Sequence, residues 1–414
     1  MFYLSLLMAI RFFGLFIVMP LLAIYALSLQ GANPFYVGIA LGGYALSQLF
    51  LQIPFGKLAD TYDKKKILIV GLLLLTIGSL ICAYATNIYM LIVGRLIQGA
   101  GAIGGVVLAY MSELSKEDKR AKTFAKMGQL IAISFGLSMI LGPIIGANYG
   151  VDKLFLLTAF LSLVAIILVI FKVPNPPKIT HHQKNASLKE ILKNKELLKL
   201  FFSGFLQKGF MTLFFMLIPI IFTKQLNFEK TELWKIYIPG LIVGIFAMPF
   251  GAILAEKKQK VKLVFILSAF FITLSLFLFF IGNKYSYFLG VLTFFFGFNM
   301  LEPVLQSFVS KIAKVNQKAT ALSTSNAIQY LGIFIGGAIA GYFVHHNMLK
   351  ELLLLLTFIG IVWIFILAKM KLINKIKIVE YKEYDKSFIE ALKSEKNVYD
   401  FYERNGVLVV RYLK

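Results

Sequence analysis

The chain has 414 residues, of which 59% are hydrophobic and 15% charged, with 40 Phe, 32 Gly, one Cys and a formal net charge of +23. Mean hydropathy is +0.79. An ordinary soluble domain is about half apolar and about a quarter charged, so a soluble enzyme or scaffold is excluded. The expected fold class is an all-α polytopic membrane protein.

A helix needs roughly 20 apolar residues to cross a ~30 Å hydrocarbon layer. On that criterion twelve spans are predicted, near 3–27, 35–59, 67–86, 88–112, 123–147, 153–172, 199–222, 233–255, 261–282, 285–310, 319–344 and 349–369. In the first span the first charge is Arg11, inside a long apolar run, which predicts a retained span instead of a cleaved leader. The stretch PFGKLADTYDKKK at 54–66 interrupts the apolar run from Phe35 to Tyr84. Cys82, alone in the third span, allows no intramolecular disulfide and is expected to pack in the core.

Charge follows position. Twenty-three lysines and arginines fall at the even-numbered turns, Lys57, Lys64, Lys65 and Lys66 first among them; six fall on the opposite side, from Lys153 to Lys350. The positive-inside rule then predicts that both termini are cytoplasmic. The basicity is read as orientation plus contact with anionic lipid, with no nucleic-acid partner.

The triplet PFG recurs. PFGKLAD at 54–60 and PFGAILAE at 249–256 each sit at the inner end of the second span of a six-span group, and each leads through a carboxylate to lysines. This predicts a duplication: a six-helix half at 1–172, a cytoplasmic linker with an amphipathic helix at 173–198, and a second half at 199–370. His181 and His182 lie in the linker with no carboxylate or Cys partner nearby, so no metal site is expected. Residues 371–414 form the fourth unit. There KIKIVEY (375–381), NVYDFYE (397–403) and GVLVVRYL (406–413) read as strands and DKSFIEALKS (385–394) as a helix, a β-α-β-β order like half of a ferredoxin-like domain. So small a module is expected to associate with another copy or lean on the membrane domain.

Ionisable groups in the bilayer are functional suspects because they are costly there. Arg11, Arg95, Lys208 and Glu302 lie well inside spans. Asn299, Glu302 and Gln306 share one helix face by their spacing, as do Tyr44 and Gln48 in the second span, and Arg95 and Gln98 in the fourth. Such stripes predict a water-accessible central cavity, or else interhelical hydrogen bonding. Glu302, the one deep carboxylate, is the expected proton or substrate site. In SMILGPIIGA (138–147), Pro143 bends the helix while Gly142 and Gly146 let another backbone approach. The sequence offers no catalytic triad, phosphate-binding loop or metal-ligand cluster, so no enzyme is expected.

Three of these motifs carry a resemblance. GKLADTYDKKK (56–66) resembles the loop motif Gly-x-x-x-Asp-Arg-x-Gly-Arg-Lys-x of the major facilitator superfamily, RLIQGAG (95–101) its helix-four motif, and SMILGPIIGA the helix-five motif of its twelve-span drug:proton antiporters. AIRFFGLFIVMPLLAIYALSLQGA (9–32), GRLIQGAGAIG and FGFNMLEP (296–303) are similar to a bacterial inner-membrane branch with a small C-terminal α+β domain. The loop motif departs at Thr61, Asp63 and Lys64, and the helix-five motif at Ser138 and Ala147. The resemblance implies an alternating-access antiporter that exports small amphiphilic compounds, with a proton gradient in place of any cofactor. It implies a cytoplasmic gate at Gly56, Asp60, Lys64 and Glu113, with Asp60 facing the start of helix eleven. Two alternatives stand beside it: transport of an anionic or zwitterionic metabolite, and a membrane-anchored sensor or assembly protein acting through its tail.

Overall fold

A computed structural model describes residues 2–114, 117–174, 188–256, 258–313, 318–370, 376–381, 388, 392, 398–404 and 407–413. Twelve helical segments among these are long and apolar enough to cross a membrane, matching the twelve expected. Two of them are interrupted. The first span is split into α1 (Phe2–Ile17) and α2 (Met19–Leu27), with Pro20 in the first turn of α2, where its missing N–H costs nothing. The fourth is split into α5 (Ile88–Ala100) and α6 (Gly104–Leu114) across the run GAIG. Glycine's conformational freedom and weak helix propensity explain the second break; a hydropathy window averages over both.

Between them lie α3 (Pro34–Thr61) and α4 (Lys64–Ala83), then α7 (Glu117–Tyr149) and α8 (Val151–Lys172). Asp63, which stands where the loop motif has Gly, caps α4: its Oδ1 accepts from Lys65 N at 2.8 Å. A short α9 (Leu188–Lys193) precedes α10 (Lys195–Lys224), α11 (Trp234–Glu256), α12 (Val261–Ile281), α13 (Lys284–Ile312), α14 (Lys318–His345) and α15 (Leu349–Ala368). His181 and His182 lie outside the described residues.

Helices α1–α8 pack mainly among themselves, as do α10–α15, and the two sets meet chiefly along α3 and α14. That seam is tightest near the turns at 28–33 and 346–348. An added Cβ on Gly38 would strike the Gly337 carbonyl, and one on Gly42 would lie 2.7 Å from Phe334 Cα. Only glycine permits this backbone approach. Near the same end Tyr237 Oη donates to the Pro20 carbonyl at 3.5 Å across the two sets. At the opposite end, ties within each set include Lys65 Nζ donating to Ile170 O at 2.8 Å, Tyr110 Oη to Pro174 O at 2.7 Å, and Lys199 Nζ to Lys369 O at 3.3 Å.

Beyond α15 lie β1 (Ile376–Tyr381), β2 (Val398–Arg404) and β3 (Val407–Leu413), each within a residue or two of its predicted place. They form an antiparallel sheet in the order β1-β3-β2, with Ile378 opposite Arg411 and Phe401 opposite Val410. Of the helix expected at 385–394, only Phe388 and Leu392 are described. Both are helical, and they pack with Leu408 and Val410.

Candidate functional site

Polar residues inside the spans gather into separate centres. In the second set of helices, Lys208 of α10 and Glu302 of α13 form an ion pair, with Lys208 Nζ 2.8 Å and 2.9 Å from the two carboxylate oxygens. Gln207, the neighbour of Lys208, donates through Nε2 to Glu302 Oε2 and to the Phe298 carbonyl, both at 3.0 Å. The ammonium also stands 5.0 Å from the Phe298 ring centroid, close enough for a cation–π contribution. The Glu302 side chain keeps 37% of its surface accessible and that of Lys208 15%, so the protein does not seal the carboxylate off. Pro303 follows directly and removes one rung of the α13 ladder at this point.

Around this pair the predicted stripe divides. Asn299 Nδ2 turns back to its own helix, donating to Phe295 O at 2.8 Å, while Gln306 Nε2 donates to Asn326 Oδ1 of α14 at 3.0 Å. The latter is an interhelical tie. Gln207 lies outside the stripes read from sequence; its signal was adjacency to a lysine inside a span.

In the first set, Arg95 is fully buried and served by neutral partners. Its Nε donates to Ala40 O at 3.2 Å and its Nη1 to Gln98 Oε1 at 2.8 Å, with Met19 Sδ 3.8 Å from Nη2. The guanidinium carbon lies 4.7 Å from the Tyr44 ring centroid. Gln98 passes the chain on to Ser79 Oγ at 2.8 Å. This network binds α2, α3, α4 and α5 together. Ser79 is one of two hydroxyls, with Thr76, in the apolar run of α4, and its only signal in sequence was that polarity. Gln48, one turn from Tyr44 on α3, is 1% exposed, and its Nε2 has no partner.

Arg11 is different. It is 1% exposed, and none of its three guanidinium nitrogens has a hydrogen-bond partner. Of the three cations expected in the spans, one is thus ion-paired, one hydrogen-bonded to neutral acceptors, and one unpaired.

The helix-five residues lie against the first span. Gly142 packs on the Ile17 carbonyl where α1 ends, Gly146 packs between Leu21 and Leu154, and Pro143 is buried. Of the expected gate, Lys64 begins α4, and Gly56, Asp60 and Glu113 lie on α3 and α6; the side chains at 56, 60 and 113 are outside the described residues. Among the described residues no group of three or more metal-ligating side chains occurs.

The sequence matches the Major Facilitator Superfamily over residues 4–337. It is 34% identical over 347 residues to the inner membrane transport protein YajR of Escherichia coli, covering 81% of this chain and 75% of that one. It is 28% identical to the quinolone resistance protein NorA of Staphylococcus aureus, over 80% of this chain and 86% of NorA. The crystal structure of the nucleoside transporter NupG superposes with a TM-score of 0.71 at 16% identity, covering 89% of this chain and 98% of that one. The chain belongs to the major facilitator superfamily and is a multi-pass membrane transporter, not an enzyme.

Proposed function

We propose that the protein is a proton-coupled antiporter that exports small amphiphilic molecules by alternating access. The observation that carries this reading is the Lys208–Glu302 pair, an ion pair of part-accessible groups inside two spans. Protonating Glu302 removes its charge, so Lys208 and Gln207 lose their anionic acceptor and the tie between α10 and α13 loosens. Binding of a proton at Glu302 and binding of cargo are then alternative ways of satisfying Lys208. The relation to NorA, a quinolone resistance protein, supports drug-like cargo. The relation to YajR, an inner membrane protein, supports a bacterial inner-membrane location, and the lysine distribution supports cytoplasmic termini.

On that orientation the tight Gly38–Gly337 seam closes the outer end. Asp60, Lys64, Glu113 and Gly56 are the gate at the inner end, and Gly142, Pro143 and Gly146 hold α7 against the broken first span. The units are 1–172, 173–198, 199–370 and 371–414. The tail is a β-α-β-β module that associates with a second copy or with the membrane domain. The driving force is the proton gradient, with no cofactor, and the partners are small-molecule cargo, protons and membrane lipid.

The test is flux in proteoliposomes carrying Glu302→Gln. Loss of cargo-driven proton movement with the fold retained supports the assignment; wild-type proton movement refutes it.

A further inference from the structure

Arginine stays protonated in protein interiors and cannot escape burial by losing its proton as a lysine can. A buried guanidinium with no acceptor is therefore a large unmet cost. Arg11 is in that position, with all three nitrogens covered and unpartnered. Its surroundings include the Phe12 ring, whose centroid is 5.7 Å from the guanidinium carbon, and the start of a half-helix. An added Cβ on Gly104, the first residue of α6, would stand 3.7 Å from Arg11 Nη1.

The break before α6 leaves donors there. Ala102 N and Ile103 N bond back to Ala100 O and Gly101 O at 2.8 Å and 2.9 Å, and Val107 N bonds to Ile103 O at 2.9 Å. No bond across the break uses the N–H groups of Gly104, Gly105 or Val106, the orphan donors of a helix start. An added Cβ on Gly105 would meet nothing within 4 Å, so there is open space at this terminus. Two phenols lie within electrostatic reach of Arg11: Tyr44 of α3 and Tyr330 of α14. The second comes from the other set of helices, so the place straddles the seam that alternating access must open.

We infer that Arg11 and the N-terminus of α6 form a binding site for a monoanionic carboxylate carried by the transported molecule. One guanidinium and one helix terminus supply about one and a half positive charges, most of which a single carboxylate neutralises. A carboxylate also fits the planar fork of the guanidinium, and its second oxygen can take the α6 N–H groups. This rests on the export reading above and narrows it: the cargo is an amphiphile bearing a carboxylate. Arg11 in the first half holds the carboxylate while the Lys208–Glu302 pair in the second handles the proton.

The experiment is isothermal titration of the purified full-length protein with benzoate, benzamide and inorganic phosphate. Benzoate binds and benzamide does not. Arg11→Met weakens benzoate on the order of 10- to 100-fold, the range of a lost charged hydrogen bond, and Arg11→Lys weakens it less. Arg11→Met also raises the thermal midpoint without benzoate, because it removes an unpaired buried charge. Gly105→Leu fills the open space and blocks benzoate with the midpoint retained.

Absence of benzoate binding by the wild type, equal binding of benzamide, or wild-type affinity in either Arg11→Met or Gly105→Leu overturns the inference. Preference for phosphate overturns the carboxylate assignment. Titration in phosphatidylcholine nanodiscs with and without phosphatidylglycerol separates cargo from lipid: benzoate binding abolished by phosphatidylglycerol assigns the site to a headgroup and overturns the cargo claim. Proton flux through Glu302 is read separately, so either claim can fail without the other.

Discussion

Gly38→Ala places a methyl group against the Gly337 carbonyl and 3.0 Å from Gly341 Cα. Both obstacles are backbone, which cannot rotate away, so α3 and α14 must separate. Overpacking of a close contact costs about 1–3 kcal/mol, and here the cost falls only on the state in which this end is closed. A cost of about 2 kcal/mol shifts a two-state equilibrium roughly thirtyfold toward the other state. The assay is pulsed electron paramagnetic resonance with labels at Tyr149 and Tyr285, which end α7 and begin α13 on the same side and are 73% and 85% exposed. Cys82 is buried and should stay unlabelled. The variant should populate longer distances and slow the transport cycle. A distance distribution and flux identical to wild type would refute the claim that the glycine seam is the closed gate.

Other substitutions probe the remaining centres. Lys208→Met should lower stability by about 1–3 kcal/mol, a range discounted for the partial exposure of Glu302. Adding Glu302→Gln should recover part of that loss, seen as non-additive thermal midpoints. Arg95→Lys should not rescue Arg95→Met, because an ammonium cannot reach Ala40 O and Gln98 Oε1 while stacking on Tyr44. Both variants should lose about 1–3 kcal/mol by leaving buried acceptors unmet, measured by denaturation in detergent. Asp63→Ala should cost about 1 kcal/mol through the lost cap of α4, read from the thermal midpoint.

The spans were legible because hydrophobic length is set by the bilayer and not by tertiary detail. The breaks at Val18 and at Gly101–Ile103 were not, since Pro20 and the glycines of GAGAIGG are as compatible with a bent helix as with a divided one. Glu302 and Lys208 both stood out as ionisable residues inside spans, but their pairing did not. Face periodicity pointed to Asn299 and Gln306, whereas the contact is made by Gln207 and Lys208 from a helix some 94 residues away in sequence. Spacing identifies which residues share a face; it does not say which face of another helix lies opposite. Arg11 and Arg95 read alike in sequence as cations in spans, and only the surrounding acceptors distinguish them. Asp63, which in sequence marked a departure from the loop motif, supplies a helix cap in its place.

The central claim is that Glu302 couples protons to transport. The most direct measurement is the lumenal pH of proteoliposomes containing wild type or Glu302→Gln after addition of transported members of a panel of amphiphilic dyes and organic anions. The account predicts a cargo-driven pH change in the wild type and none in Glu302→Gln, with both proteins still unfolding cooperatively. A pH change of equal rate in the two proteins would contradict it.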